Sequence, residues 1–122
     1  MEPRALVAVV DDDESVRESL PDLLDELGYA VRAFASAEEF LASDCASATD
    51  CMILDINMPG MSGPELQRKL HRAGYKFPII FITAHVNKEL RDGLMRNGAA
   101  ECLYKPFNDK SLQTALNTAL SR

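Results

Sequence analysis

Short apolar runs alternate along the chain with longer segments in which apolar residues recur every three to four positions. The runs are typical of buried β-strands, and the longer segments are typical of amphipathic helices. Strands are predicted at 5–10, 29–34, 51–55, 77–82 and 101–104, and helices at 15–27, 36–43, 62–73, 87–97 and 108–120. Strands separated by helices pair in parallel through right-handed crossovers. The pattern therefore predicts an α/β fold, a single doubly wound five-stranded parallel sheet with helices on both faces.

Local signals refine the helix ends. Ser36 with Glu39, and Ser62 with Glu65, have the spacing of a capping box, in which side chains and backbone N–H groups bond reciprocally. Pro21 lies inside the first helical pattern, where a proline removes one hydrogen bond. We expect a kink at Pro21 unless packing of the neighbouring leucines overrides it. The small, polar segment 42–50 is predicted to be a loop.

The composition is that of an ordinary globular domain. The 122 residues are 47% hydrophobic and 26% charged, enough for one core without disulfides, so 1–122 is predicted to form one domain. The formal charge of -6 disfavours direct binding of nucleic acid, because phosphate binding depends on basic charge. The sequence has neither an apolar run of membrane-spanning length nor a signal peptide. We expect a cytoplasmic protein without membrane contact.

The cysteines do not suggest a metal centre. Cys45, Cys51 and Cys102 are an odd number and lack the spacing of metal ligands. With only His71 and His85 to help, a zinc site would have to gather its ligands from distant segments. Buried or half-buried free thiols are the better interpretation.

The central apolar run ends in Asp55 and is followed by the turn signal Pro59-Gly60. A strand buried on both faces thus delivers a carboxylate to its carboxyl end, where open α/β sheets place their binding sites. Taken alone, Asp55 is more simply explained as the first residue of a turn. Polar residues at the other strand ends change that interpretation.

The first strand runs directly into four acidic residues, 11–14. Such a cluster repels itself unless a cation lies there. Asp13 and Glu14 are suited to capping the helix that follows. This leaves Asp11 and Asp12 as candidate ligands.

Thr83 and Lys105 follow the fourth and fifth predicted strands. Because all strands of a parallel sheet end at one edge, both are expected near Asp55 and the first-strand acids. Three carboxylates suit a hard cation such as Mg²⁺, which prefers oxygen ligands. The lysine and the hydroxyl are suited to binding oxygens of a phosphoryl group.

The order and spacing of four motifs resemble the receiver domain of two-component response regulators, over essentially the whole chain. The motifs are Val9-Val10-Asp11-Asp12, Asp55 with Met58-Pro59-Gly60 and Gly63, Thr83-Ala84, and Lys105-Pro106-Phe107. The resemblance implies a flavodoxin-like fold of the receiver type and a role in signal transduction.

The resemblance also implies roles for individual residues. Asp55 would accept a phosphoryl group from a histidine kinase or phosphotransfer protein, with Thr83 and Lys105 holding the phosphoryl oxygens. Asp12, Asp55 and the backbone carbonyl of Asn57 would ligate Mg²⁺, with Asp11 acting mainly through water. The Lys105-Pro106 peptide bond would be cis.

The chain departs from the family at one position. Receivers usually have a switching aromatic residue three positions before the lysine, and here that residue is Cys102. A thiol has little area to exchange between buried and exposed states, so Tyr104, on the same side of the strand, is a candidate substitute. The resemblance further implies that Asn57 and His85 tune the dephosphorylation rate, although a loop histidine without a role is equally consistent with the sequence.

Other functions remain open at this stage. Asp55 could serve as the nucleophile of a Mg²⁺-dependent phosphohydrolase, although Asn57 offers no second acid and no segment could form a substrate cap. A phosphorylation-independent interaction domain with the same fold is the other alternative. Family analogy also suggests switching, and a homodimer, through the fourth helix, fifth strand and fifth helix. Segments 17–20 and 36–40 resemble receivers joined to a helix-turn-helix output domain.

Overall fold

The structure, a computed structural model, describes residues 4–85 and 87–121 and confirms the predicted α/β order. The strands are β1 (Leu6–Val10), β2 (Ala30–Phe34), β3 (Cys51–Asp55), β4 (Ile79–Thr83) and β5 (Glu101–Tyr104). The helices are α1 (Glu14–Glu26), α2 (Ala37–Ala42), α3 (Gly63–Arg72), α4 (Lys88–Arg96) and α5 (Asp109–Leu120). All neighbouring strands are parallel, in the order β2-β1-β3-β4-β5.

Helices cover both faces of the sheet, as predicted. Leucines of α1 and α5, such as Leu24 and Leu116, pack in one apolar cluster with Ile53 of β3. Apolar residues of α2, α3 and α4 pack in a second cluster, which also contains the alternate strand residues Met52 and Leu54. Because successive side chains of β3 enter opposite clusters, all five of its residues are buried. The strand that ends in Asp55 therefore lies at the centre of the domain.

The capping predictions have different outcomes. The complete capping box at Ser62 and Glu65 is present, because each side chain accepts a hydrogen bond from the other residue's backbone N–H. At α2 the Ser36 hydroxyl accepts from the Glu39 N–H at 3.0 Å, but the reciprocal half of the predicted box is absent from the described hydrogen bonds. The neighbouring Glu38 bonds instead to a distant loop. The prediction of a full box at Ser36 was wrong, because the Glu39 side chain does not accept from the Ser36 N–H among the described hydrogen bonds.

Helix α1 includes Pro21 without an interruption in its span. Leu20 and Leu24, on either side of it, are buried at 4% and 0% exposure, so packing of the leucine stripe holds the proline within the helix. Asp13 is the N-cap, as predicted, and its carboxylate accepts from the Ser15 N–H at 2.9 Å.

Two further predictions concern loops and thiols. The segment predicted as a loop at 42–50 contains one turn of 3-10 helix, Ala46–Ala48. The buried Thr49 hydroxyl donates to the Cys45 carbonyl at 2.7 Å and closes this turn. Cys45, Cys51 and Cys102 are free and buried, which confirms the expectation for the thiols. Within the part of the chain that the structure describes, no helix is long and apolar enough to cross a membrane.

Candidate functional site

The carboxyl ends of four strands bring the candidate residues to one edge of the sheet. Asp55 is the last residue of β3 and Thr83 the last of β4, while Asp11 directly follows β1 and Lys105 directly follows β5. Strand register aligns Asp55 with Ile82 on β4, and Thr83 with Tyr104 on β5. The parallel topology thus accounts for the assembly of residues that are up to 94 positions apart in the chain.

Three carboxylates form a compact cluster at this edge. One oxygen from each of Asp11, Asp12 and Asp55 lies within 4.8 Å of the others. Asp11 and Asp55 are 0% and 6% exposed, whereas Asp12 is exposed. Buried like charges at this separation repel strongly in a medium of low dielectric constant. The cluster supplies the oxygen ligands that a small divalent cation prefers, and the exposed Asp12 leaves room for waters.

Lys105 supplies the positive charge opposite this cluster. Its Nζ atom lies 2.9 Å from Asp11 Oδ2 and 3.9 Å from Asp55 Oδ1. Asp11 Oδ2 is buried and receives no well-directed hydrogen bond from the described residues, so the 2.9 Å contact is an ion pair of imperfect geometry. Burial disfavours the ammonium charge, but the adjacent carboxylate of Asp11, followed by the charge of Asp55, outweighs it and raises the pKa of Lys105. Asp11 Oδ2, which has no hydrogen-bond donor among the described residues, could also serve as a ligand for a cation.

Asp55 is poised between its charged and neutral forms. Burial, followed by the negative charge of Asp11, raises the pKa of Asp55 to about 7. Lys105 counteracts part of this increase, whereas a hydrogen bond with Asp12 adds to it. A cation among the three carboxylates would favour the ionised, nucleophilic form of Asp55. The electrostatics and the set of oxygen atoms both fit a bound metal ion.

The hydroxyl of Thr83 is engaged in its own turn. Its Oγ1 accepts from the His85 N–H at 3.1 Å and lies 3.3 Å from the His85 carbonyl oxygen, to which it donates. Thr83 must leave the carbonyl before it can donate to a group on Asp55. The backbone beside it is fixed, because Lys105 N–H donates to the Thr83 carbonyl at 2.7 Å. The Lys105-Pro106 bond is cis, the isomer implied by the resemblance.

The remaining predicted site residues lie in the turns after β3 and β4 or on β5. Asn57 and His85 are exposed and follow Asp55 and Thr83 by two positions each. Cys102 is 5% exposed and belongs to the cluster that includes α4, whereas Tyr104 is half-buried at the carboxyl end of β5.

Two side chains near the site were not identified from the sequence. Arg17 donates from Nη1 to the Asp11 carbonyl at 2.9 Å and fixes the backbone after β1. Glu38 accepts from the Met61 N–H at 3.1 Å, in the loop that follows Asp55. The 23-residue separation of Glu38 and Met61 is invisible to helix or strand periodicity. Arg17 carried a weak signal, since it lies one helical turn after the cap Asp13.

A groove of about 790 Å³ opens beside the site, between α1 and the loop from β5 to α5. Apolar side chains form much of its wall, and Lys105 and Ala84 connect it to the phosphoryl-binding candidates. Its lining includes Val16, Ser19, Leu20, Leu23, Lys105, Pro106 and Phe107. Acidic side chains, Asp13, Glu26 and Asp109, complete the lining. The groove is a mixed surface of apolar and acidic side chains that leads to the edge of the sheet at which Asp55 lies.

Comparison with known proteins gives a consistent result. A family model described as the response regulator receiver domain matches residues 7–117. The chain is 42% identical to nodulation protein W of Bradyrhizobium diazoefficiens over 119 residues, which are 98% of this chain and 52% of that protein. It is 40% identical to transcriptional regulatory protein TdiR of Thauera aromatica over 115 residues, 94% of this chain and 51% of TdiR. It spans about half the length of these curated relatives.

Solved structures agree with the sequence matches. The response regulator StyR superposes with a TM-score of 0.88 at 42% identity, covering 97% of this chain and 60% of that one. The FixJ-N crystal structure superposes with a TM-score of 0.86 at 36% identity, covering 100% of this chain and 97% of that one.

Proposed function

Because the chain belongs to the response regulator receiver domain family, we propose that it accepts a phosphoryl group on Asp55 in a Mg²⁺-dependent reaction. The observation that carries the proposal is the cluster of Asp11, Asp12 and Asp55 oxygens within 4.8 Å, with the Lys105 ammonium at its edge. This combination binds a cation and a transferred phosphoryl group side by side. A carboxylate with a pKa raised to about 7 is the acceptor.

The transfer uses one nucleophile and several charge-stabilising groups. An Asp55 carboxylate oxygen attacks the phosphorus, an O–P bond forms, and the N–P bond to the donor histidine breaks with its electron pair on the imidazole. Asp12, Asp55 and the Asn57 carbonyl would hold Mg²⁺, with Asp11 acting mainly through water, and the ion would neutralise charge on the transferred group. Lys105, already 3.9 Å from Asp55 Oδ1, is placed to pair with a phosphoryl oxygen. The product is an acyl phosphate, which water hydrolyses slowly, with Asn57 and His85 placed at the rim to affect the rate.

Thr83 would connect the phosphoryl group to the rest of the domain. A phosphoryl oxygen competes with the His85 carbonyl for the Thr83 hydroxyl, so phosphorylation pulls the β4–α4 turn toward Asp55. Helix α4 follows directly and buries only Leu94 fully, so its position can change at small cost. Cys102 and Tyr104 lie on the adjacent strand and are the candidates for following this movement. The α4-β5-α5 face is then the surface that differs between the two states.

The partner that donates the phosphoryl group is proposed to be a histidine kinase or phosphotransfer protein. The output is proposed to be transcriptional, because relatives such as TdiR are named as transcriptional regulators and are about twice as long. In such a protein a separate domain would contact DNA, consistent with the charge of -6 on this chain. A homodimer through the α4-β5-α5 face is part of the same proposal.

Intact-mass measurement with acetyl phosphate tests the central step. One phosphoryl adduct is expected with Mg²⁺ and almost none after chelation of the metal. Reduction of the adduct with borohydride, which converts an aspartyl phosphate to homoserine, should place the modification at Asp55. If the folded protein forms no adduct with or without Mg²⁺, a phosphorylation-independent interaction domain would be favoured. Rapid turnover of small phosphomonoesters would favour a phosphohydrolase.

The groove beside the site predicts where the phosphodonor protein docks. Ser19 is exposed on α1 and lines the groove, so Ser19→Arg fills it without removing a core side chain. For a kinase that phosphorylates the wild type, we expect Ser19→Arg to slow phosphoryl transfer by at least about tenfold. This corresponds to an activation free energy higher by about 1.4 kcal/mol. Phosphorylation by acetyl phosphate should stay within about twofold, since that donor needs no protein surface. Gln113→Arg, exposed on α5 outside the groove, is the control. Equal slowing by both variants would reject this docking surface.

A further inference from the structure

We propose that Glu38 is a positioning residue for the metal site, because its carboxylate fixes the β3–α3 loop that carries the Asn57 carbonyl. This inference rests on the proposed Mg²⁺-dependent function. Glu38 lies on α2, 17 positions before Asp55, and touches none of the three clustered carboxylates in the described contacts. It acts on the site only through the loop.

The contact between Glu38 and the loop is close and specific. Glu38 Oε2 accepts a hydrogen bond from the Met61 N–H at 3.1 Å. The same oxygen would be 2.7 Å from a Cβ atom at Gly60, so it occupies the space beside that glycine. Gly60 has φ +76, a conformation that favours glycine, and its missing side chain lets the carboxylate approach. The loop tip is therefore shaped around the Glu38 carboxylate.

The helix that carries Glu38 is itself firmly packed. Ala37 and Phe40 are both 0% exposed, and the Phe40 ring meets that of Phe34 edge to face at 5.2 Å. The backbone of Glu38 is therefore anchored to the core through its helix neighbours, and its side chain reaches the loop from there. Its neighbour Glu39 is in the same helical turn and is also exposed, but its side chain has no hydrogen bond among those described.

The loop is attached at three points, and Asn57 lies among them. At its base, the Gly63 N–H donates to the Ile56 carbonyl at 3.0 Å. Along its length, Met58 is buried at 7% exposure in the core. At its tip, Met61 is held by Glu38. Loss of the tip attachment leaves the other two in place, so the loop should sample additional conformations without unfolding.

If the loop adopts the metal-binding conformation for a smaller fraction of the time, the apparent Mg²⁺ affinity falls in proportion to that fraction. Residues that orient metal ligands through hydrogen bonds commonly affect affinity in this way. We therefore expect Glu38→Ala to raise the Mg²⁺ dissociation constant roughly three- to tenfold, the range of one hydrogen bond. The phosphorylation rate from acetyl phosphate at saturating Mg²⁺ should stay within about twofold of the wild type, because excess metal repopulates the geometry.

Three variants separate positioning from simple charge effects. Glu38→Ala removes the acceptor, Glu38→Gln keeps an amide oxygen of the same reach, and Glu39→Ala removes the same charge one residue away. Mg²⁺ affinity is measured by calorimetry, and exchange of the Met61 amide is followed by NMR without metal. Glu38→Ala should weaken Mg²⁺ binding and accelerate Met61 exchange, whereas Glu38→Gln should retain most of both properties and Glu39→Ala should change neither.

The outcomes distinguish this inference from the function on which it rests. Equal Mg²⁺ affinity of Glu38→Ala and Glu39→Ala, in a domain that binds Mg²⁺ and is phosphorylated at Asp55, would overturn the positioning role alone. Equal loss in Glu38→Gln and Glu38→Ala would overturn the hydrogen bond as its cause. A wild-type domain that binds no Mg²⁺ would overturn the proposed function itself.

Discussion

Replacing Asp55 by asparagine is expected to abolish phosphoryl acceptance and to raise the free energy of unfolding of the metal-free domain by roughly 2–4 kcal/mol at pH 8, where the larger value corresponds to the full pKa change. The amide is not a nucleophile for phosphorus, so the adduct expected for the wild type should be absent. The stabilisation follows from the buried charge. Burial and Asp11 raise the pKa of Asp55 to about 7, well above the ordinary value of 3.8. Ionised Asp55 therefore costs free energy in the folded state.

The direction of this pH dependence follows from proton binding. Between about pH 4 and pH 7 the folded state retains the Asp55 proton and the unfolded state does not, so wild-type stability falls as the pH rises through this window. Below it both states are protonated, and the asparagine variant should gain little. Above it the variant's advantage is complete. Added Mg²⁺ should reduce that advantage, because a ligand that binds only the folded wild type stabilises it.

Urea unfolding at pH 5 and pH 8, with and without Mg²⁺, measures these differences. Asp22→Asn, which neutralises an exposed aspartate on α1, is the matched control and should change stability by less than about 0.5 kcal/mol. If Asp55→Asn is no more stable than the wild type at pH 8 without metal, charge repulsion within the acidic cluster does not destabilise the folded domain.

The sheet-edge assembly could be predicted because it depends on topology alone. Once alternating strands and helices imply a parallel sheet, Asp55, Thr83 and Lys105 must come to one edge whatever the details of packing. The strand starts were less predictable. The apolar pattern predicts that the second strand begins at 29 and the fourth at 77, whereas in the structure they begin at Ala30 and Ile79. Pairing partners set these limits, and they are not encoded in a strand's own residues.

The acidic residues of α2 show why the rest of the site was out of reach. Sequence spacing favours Glu39 as the residue that completes a capping box, and Glu38 beside it has no assigned role. In the fold, Glu38 faces the Gly60-Met61 turn and bonds across 23 positions. The two adjacent glutamates have the same helix propensity. They differ only in that the loop after β3 places the Met61 N–H beside Glu38. The Thr83 hydroxyl bond to its own turn is likewise visible only in three dimensions.

Substituting Gly63 by alanine is expected to lower the free energy of unfolding by roughly 2–4 kcal/mol. Gly63 begins α3, where its backbone packs on the chain at the end of β3, the strand that ends in Asp55. An added Cβ would lie directly against the Asp55 carbonyl oxygen and 3.1 Å from the Ile56 Cα. Both neighbours are backbone atoms of the central strand and its exit, so neither can rotate away. The start of α3 must move, and the 3.0 Å hydrogen bond from Gly63 N–H to the Ile56 carbonyl weakens with it.

Gly93→Ala in α4 is the matched control, because the same methyl group meets only the end of the Arg96 side chain, at 3.9 Å. In a helix interior the alanine should stabilise the domain by about 0.5–1 kcal/mol. Urea midpoints at constant m-value compare the two variants. Gly63→Ala within about 0.5 kcal/mol of the wild type would contradict the close packing of α3 on the Asp55 backbone. A large loss confined to Gly63→Ala would instead show that this glycine permits α3 to begin against the exit of β3, the strand that ends in Asp55.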